Sequence, residues 1–254
     1  MCHELDSAPP IAAIAGAAIS HEDLVLDGAD SNRLAAFLAA PQEPSTVGVV
    51  ILPDVRGLYH FYEELALRFA ERGYAAVAID YFGRTAGVAK RNDDFPYMEH
   101  VMHTTPAGVQ ADVAAAVAYL RSPAGGSRAN IFTVGFCFGG RNSWLAAAAG
   151  HDLAGAIGFY GMPGERNGDP GPIAAVARIS APILALQAGA DAHIGVADNE
   201  AFETALSAAG VEHEVVVVPG VPHSFFDRLH AEFQEQSDDA WRRTLAFIDS
   251  HSAP

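Results

Sequence analysis

Apolar residues recur along this chain in two rhythms, and the rhythms alternate. From Thr46 onward a short apolar run gives way to a polar or glycine-bearing loop, then to a stretch with helical spacing, and the cycle repeats. The run "TVGVVILPD" is too continuously apolar for a half-exposed strand, which predicts a strand covered on both faces. In "LYHFYEELALRFAERG", Leu58, Tyr62, Leu65 and Phe69 are spaced by four, three and four, one face of a helix, and Gly73 is placed to end it. "YAAVAID", "NIFTVGF", "LAGAIGFYG", "APILALQAGAD" and "EHEVVVVPG" read as further strands. "VQADVAAAVAYLRS", "GGRNSWLAAAAG", "NEAFETALSAAG" and "DDAWRRTLAFIDSH" read as helices. Ahead of them, "DLVLDGADSNRLAAFLAAP" reads as two strands around a Gly-Ala-Asp-Ser-Asn turn. Alternation of this kind predicts an α/β fold, a mostly parallel central sheet with helices on both faces. Residues 1–19 read as a leader segment and residues 20–254 as a single domain. The leader's apolar stretch, Ile11 to Ile19, follows acids and no lysine or arginine, so it does not read as a secretory signal.

Composition narrows the partners. Half of the 254 residues are apolar, enough for a large core, and 31 acids against 15 bases leave a formal charge of −16. That charge repels nucleic-acid phosphates and anionic membrane surfaces, and no window approaches a transmembrane span. The expected partner is a small molecule, with the chain a monomer or homodimer. The two cysteines, Cys2 and Cys137, make no disulfide framework, which suits a reducing cytoplasmic location. "HVMH", at His100 and His103, has metal-like spacing but no further ligand cluster, so no metal is expected.

In sheets of this kind ligands bind beyond the carboxyl ends of the strands. Four predicted strand ends carry chemical groups: Asp54, Cys137, Asp191 and His223. "Gly135-Phe136-Cys137-Phe138-Gly139" has the G-x-nucleophile-x-G form of a nucleophile elbow, with cysteine in place of serine. The nucleophile of an elbow sits on a strained turn, where flanking side chains collide with neighbouring backbone. The helix that follows favours a thiolate and a developing oxyanion at its N-terminus. The alternative is a small buried hydrophobe at a tight bend, a common fate of cysteine. His223, set by a Pro-Gly/Pro loop, is the candidate base. Asp191 would orient the imidazole, or else serve as a turn or cap aspartate, a role that Asp198 suits better. The long segment "YFGRTAGVAKRNDDFPYMEHVMHTT" reads as a partial wall over the pocket. Its Phe82, Phe95 and Tyr97 are candidate lining residues or pins to the core, and Tyr160 is a further candidate for substrate binding.

"GFCFGG", "AGAD" and "PHSFFD", in the order Cys, Asp, His, resemble the dienelactone hydrolase family of α/β-hydrolases, from about Thr46 to Phe247. "ILPDVRGL" and "RGYAAVAIDYFGR" strengthen the likeness. The resemblance implies an α/β-hydrolase fold and cleavage of a small carboxylic ester or lactone without a cofactor. It implies Cys137 as nucleophile, His223 as base and Asp191 as its orienter, with the backbone N–H groups of Val55 and Phe138 as the oxyanion hole. Asp54 matches a family acid that partners the thiol, although members acting on dienelactone carry the longer glutamate. Arg84 matches an arginine that binds the substrate carboxylate; Arg228 is the candidate for a second, with Asp227 intervening after the histidine motif. Arg56 and Arg141 have no settled role. Two other functions share the pattern: a hydrolase or acyltransferase for thioesters or bulkier esters, and a non-catalytic binding module.

Overall fold

The computed structural model describes residues 8–92, 94–227 and 229–252. The strands are β1 (Ile19–Asp27), β2 (Arg33–Pro41), β3 (Val47–Leu52), β4 (Ala75–Ile79), β5 (Asn130–Phe136), β6 (Gly155–Phe159), β7 (Ile183–Ala188) and β8 (His213–Val218). They form one sheet in the order β1-β2-β4-β3-β5-β6-β7-β8. The hairpin β1–β2 and the pair β2–β4 are antiparallel; every pairing from β4 across to β8 is parallel. The chain leaves β3 for β4 on one side and returns to β5 on the other. The crevice at this reversal, between the ends of β3 and β5, is where such sheets bind ligands.

The helices are α1 (His60–Glu71), α2 (Gly83–Ala86), α3 (Tyr97–Val101), α4 (Pro106–Arg121), α5 (Phe138–Ala146), α6 (Pro172–Ala175), α7 (Val196–Ala208) and α8 (Gln234–Ser250). Strand residues alternate between two cores, because successive side chains point to opposite faces. Val47, Val49 and Ile51 join α1 and the Trp241–Ile248 side of α8. Val50 and Leu52 join Val113, Val117 and Leu120 of α4, Trp144 of α5, and Phe202 and Leu206 of α7. Both faces of β3 are thus covered, as its unbroken apolar run requires. On α1 the spaced residues Tyr62, Leu65 and Phe69 are fully buried with Phe61. Each contributes about 1.5–3 kcal/mol of burial free energy. Gly73 closes the helix at φ 92°, a conformation that costs glycine little.

Some boundaries differ from the sequence pattern for local reasons. α4 begins at Pro106, three residues early, because the Thr105 hydroxyl accepts the Gly108 N–H at 3.1 Å and proline suits a first helical position. At the start of α7 the Asp198 carboxylate accepts the Gly195 N–H at 2.8 Å, the capping role its position suggested. The segment from Tyr81 to Thr105 contains the short helices α2 and α3. Within the described part of the leader, Ile11 packs on the core beside α1, and the Ile14 N–H donates to Glu71 at 3.0 Å.

Candidate active site

β5 and α5 meet at Cys137, whose backbone sits at φ 54°, ψ −110°. A residue with a Cβ is strained there by about 1–3 kcal/mol, so the surroundings must enforce the turn. They do so through glycine. A Cβ on Gly135 would lie 2.0 Å from the Gly139 carbonyl oxygen, and one on Gly139 would lie 2.0 Å from that of Leu52. One on Gly140 would lie 2.5 Å from the Phe159 oxygen. The turn is also tied by the Cys137 N–H, which donates to Phe159 O at 3.0 Å. Cys137 is a free, half-buried cysteine at the N-terminus of α5. Phe138, the first residue of α5, has an N–H that no carbonyl within the helix can reach.

Asp191 and His223 meet across the ends of β7 and β8. His223 Nδ1 lies 2.6 Å from Asp191 Oδ2. The carboxylate is an acceptor, so Nδ1 carries the hydrogen and Nε2 is left for proton exchange. Asp191 Oδ1 accepts the N–H groups of His193 at 2.8 Å and Ile194 at 3.3 Å. Burial pushes the Asp191 carboxyl up, but these donors and the imidazole outweigh it and hold it below its ordinary value. The ring of Tyr160 lies 4.8 Å from that of His223, and its hydroxyl donates to Asp227 at 2.9 Å. Tyr160 has no exposed surface. It backs the histidine from a fully buried position, whereas the sequence pattern had made it a substrate-binding candidate.

The third part is the loop after β3. Asp54 is fully buried. Its N–H donates to the Tyr62 hydroxyl at 2.9 Å, and its Oδ1 accepts the Arg56 N–H at 2.8 Å. The loop is tied down by Asp80, at the end of β4, which accepts the N–H groups of Leu58 and Phe82 at 3.0 Å each. Arg91 donates to the same carboxylate at 2.7 Å, with both side chains almost wholly buried. Close packing of Gly139 on Leu52 and Pro53 sets this loop, with Asp54 and Val55, against the first turn of α5. Tyr81 joins the two parts: its hydroxyl donates to Pro53 O at 2.8 Å and its ring packs edge-on against Phe138 at 5.2 Å. Burial, then the charges of Asp54, Asp80 and Asp112, then Cys137, push its phenol well above the usual range. Tyr81 thus stays neutral, within electrostatic reach of both Asp54 and Cys137.

Other expected residues go elsewhere. Arg84 donates to Asp112 at 2.7 Å and, from two nitrogens, to Asp30 at 3.1 and 2.7 Å. Its guanidinium bridges the β1–β2 turn to α4 and is taken up by two carboxylates, which a substrate carboxylate would have to displace. Phe82 is fully buried against Tyr81 and Phe95, so it pins the segment and lines no open surface. Arg228 lies outside the described residues. Arg141 of α5 donates to the carbonyls of Met162, Gly164, Asp169 and Pro170, clamping the loop after β6. The pattern of the sequence missed Tyr81, the Asp80–Arg91 pair and this clamp. Only Tyr81 and Asp80 carried a signal, their place directly after a strand.

The model of the Dienelactone hydrolase family matches residues 34–252. The chain belongs to this family. Among curated relatives, a "Putative carboxymethylenebutenolidase" of Methylorubrum extorquens is 29% identical over 82% of this chain and 74% of its own length. A protein of the same name in Escherichia coli K12 is 28% identical over 87% and 83%. The solved "Putative Dienelactone Hydrolase" of Klebsiella pneumoniae superposes with a TM-score of 0.80 at 26% identity, over 91% of this chain and 99% of that one. The sheet and its helices are an α/β-hydrolase fold, and the chain is a hydrolase of the dienelactone hydrolase family. Among the described residues no helix is long and apolar enough to cross a membrane.

Proposed function

We propose that this hydrolase cleaves small carboxylic esters or lactones through an acyl-enzyme on Cys137. The observation that carries the proposal is the 2.6 Å hydrogen bond between Asp191 and His223 beyond the ends of β7 and β8, in a sheet that holds a cysteine on a strained elbow at the end of β5. Asp191 fixes the tautomer of His223 and stabilises the imidazolium. His223 Nε2 takes the thiol proton, and Sγ attacks the ester carbonyl carbon. The N–H groups of Phe138 and Val55 receive the oxyanion; donors of this kind lower a barrier by about 3 kcal/mol each. The C–O bond to the alcohol breaks as His223 returns its proton to the leaving oxygen. A water, deprotonated by His223, then attacks the thioester; the C–S bond breaks, the acid leaves, and His223 returns the proton to Sγ. Asp54, on the β3 loop, partners the thiol before substrate binds.

The test is turnover of 4-nitrophenyl acetate before and after thiol alkylation, and in Cys137→Ala. Alkylation and the substitution should each remove ester turnover while the folded state is retained by circular dichroism. Undiminished turnover in Cys137→Ala would exclude the cysteine nucleophile.

A further inference from the structure

Arg56 directly follows Val55 in the loop at the carboxyl end of β3. Its backbone N–H is bound by Asp54 Oδ1 at 2.8 Å, so the turn that shapes the candidate oxyanion hole also sets where Arg56 starts. Its guanidinium carbon lies 5.2 Å from the ring centre of Tyr59 and 5.7 Å from that of Tyr97. Tyr59 immediately precedes α1, and Tyr97 opens α3 in the segment beyond β4. A guanidinium held on aromatic faces keeps its in-plane N–H edge for a planar partner such as a carboxylate. Nη1 of Arg56 is buried and has no hydrogen-bond acceptor among the described residues. A buried donor without an acceptor is unfavourable, and an oxygen of a bound anion would relieve that cost.

The neighbouring cations make the contrast. Arg84 is paired with Asp30 and Asp112, Arg91 with Asp80, and Lys90 with Asp23 and Glu63. One arginine between two carboxylates at Arg84 presents a net negative charge to an incoming anion. At Arg56 no carboxylate among the described residues comes within ion-pair distance. In a chain of net charge −16, such a cation, one residue beyond the candidate oxyanion-hole residue Val55, counters the repulsion of an anionic substrate.

We infer that Arg56 is a specificity residue of this site, and that it binds a carboxylate borne by the acyl part of the substrate, a few carbons from the scissile carbonyl. This rests on the ester-hydrolase function proposed above. Anion recognition is thereby moved from the loop after β4 to the loop after β3.

The experiment compares two esters of equal chain length, 4-nitrophenyl hemiglutarate and 4-nitrophenyl pentanoate, at one ionic strength. Arg56→Gln should lower kcat/KM for the hemiglutarate roughly 10- to 100-fold more than for the pentanoate, mainly through KM, because the contact is remote from the bond that breaks. Arg84→Gln should change both esters equally, and Arg56→Lys should recover part of the discrimination. Raising salt should shrink the wild-type preference for the hemiglutarate, whereas in Arg56→Gln, where only the general repulsion remains, it should relieve the deficit on that ester. An equal loss on both esters in Arg56→Gln, or a selective loss in Arg84→Gln, would overturn the inference. If neither ester shows thiol-sensitive turnover, it is the proposed hydrolase function that fails, and calorimetry with glutarate decides Arg56 separately. Binding to the wild type that is lost in Arg56→Gln then supports the anion site; equal binding, or none, overturns it.

Discussion

Asp191 makes three hydrogen bonds through two oxygens, and only one of them reaches His223. The other two anchor the carboxylate to the turn after β7, so the imidazole is held against a fixed point. A group that acts through another should not act additively with it. Asp191→Asn can present its amide to Nδ1 and favour the wrong tautomer, which is expected to lower kcat by about 10⁴-fold. His223→Ala should cost at least as much, and the double variant little more than His223→Ala alone. Steady-state kinetics on the four proteins checks this; losses that multiply would show two independent residues.

Helix α5 does two things from one sequence, "FGGRNSWLA". Its first turn faces the thiol, and Arg141 one turn later holds four carbonyls of the loop after β6. Burial pushes the guanidinium pKa down, with Asp169 opposing, yet an arginine stays charged and the carbonyls supply the compensation. Arg141→Met keeps much of the side-chain volume but strands those acceptors. It should destabilise the protein by about 2–4 kcal/mol in urea unfolding. It should also raise amide exchange between residues 162 and 171 more than in β5. Arg141→Lys should restore only part, since one ammonium cannot span the acceptors that a planar fork spans.

For the whole molecule, charge is the dominant variable. At net −16 the folded chain repels itself, and the paired carboxylates are the exceptions. The folded-state pKa of Asp191 is depressed, so its contribution is fully present above the unfolded value of about 3.9. It is lost as pH falls through the lower folded value. The stability difference between wild type and Asp191→Asn should therefore not shrink from neutral pH down to about pH 5, and should shrink below about pH 4. Thermal unfolding across that range measures it, and a difference that shrinks between pH 7 and 5 would point to another group. Salt at pH 7 should raise the wild-type Tm, because screening weakens the general repulsion more than the buried pairs.

Period and composition by themselves determined the alternating architecture, the covered β3 and the glycine-framed elbow, because burial and backbone sterics act over a few residues. The family likeness of the Cys, Asp and His motifs was legible for the same reason: each lies within a few residues of a strand end. The sequence did not determine where charged side chains go. Arg84 reads as a substrate ligand until the fold brings Asp30 and Asp112 to it from the β1–β2 turn and from α4. Tyr160 and Phe82 sit at strand ends, but packing turned both inward. Arg56 and Arg141 had no legible role because their surroundings are two tyrosine rings and four carbonyls, groups that leave no periodic mark. Long, flexible cations are placed by whichever partners the tertiary structure assembles around them, and that is decided only once the chain has folded.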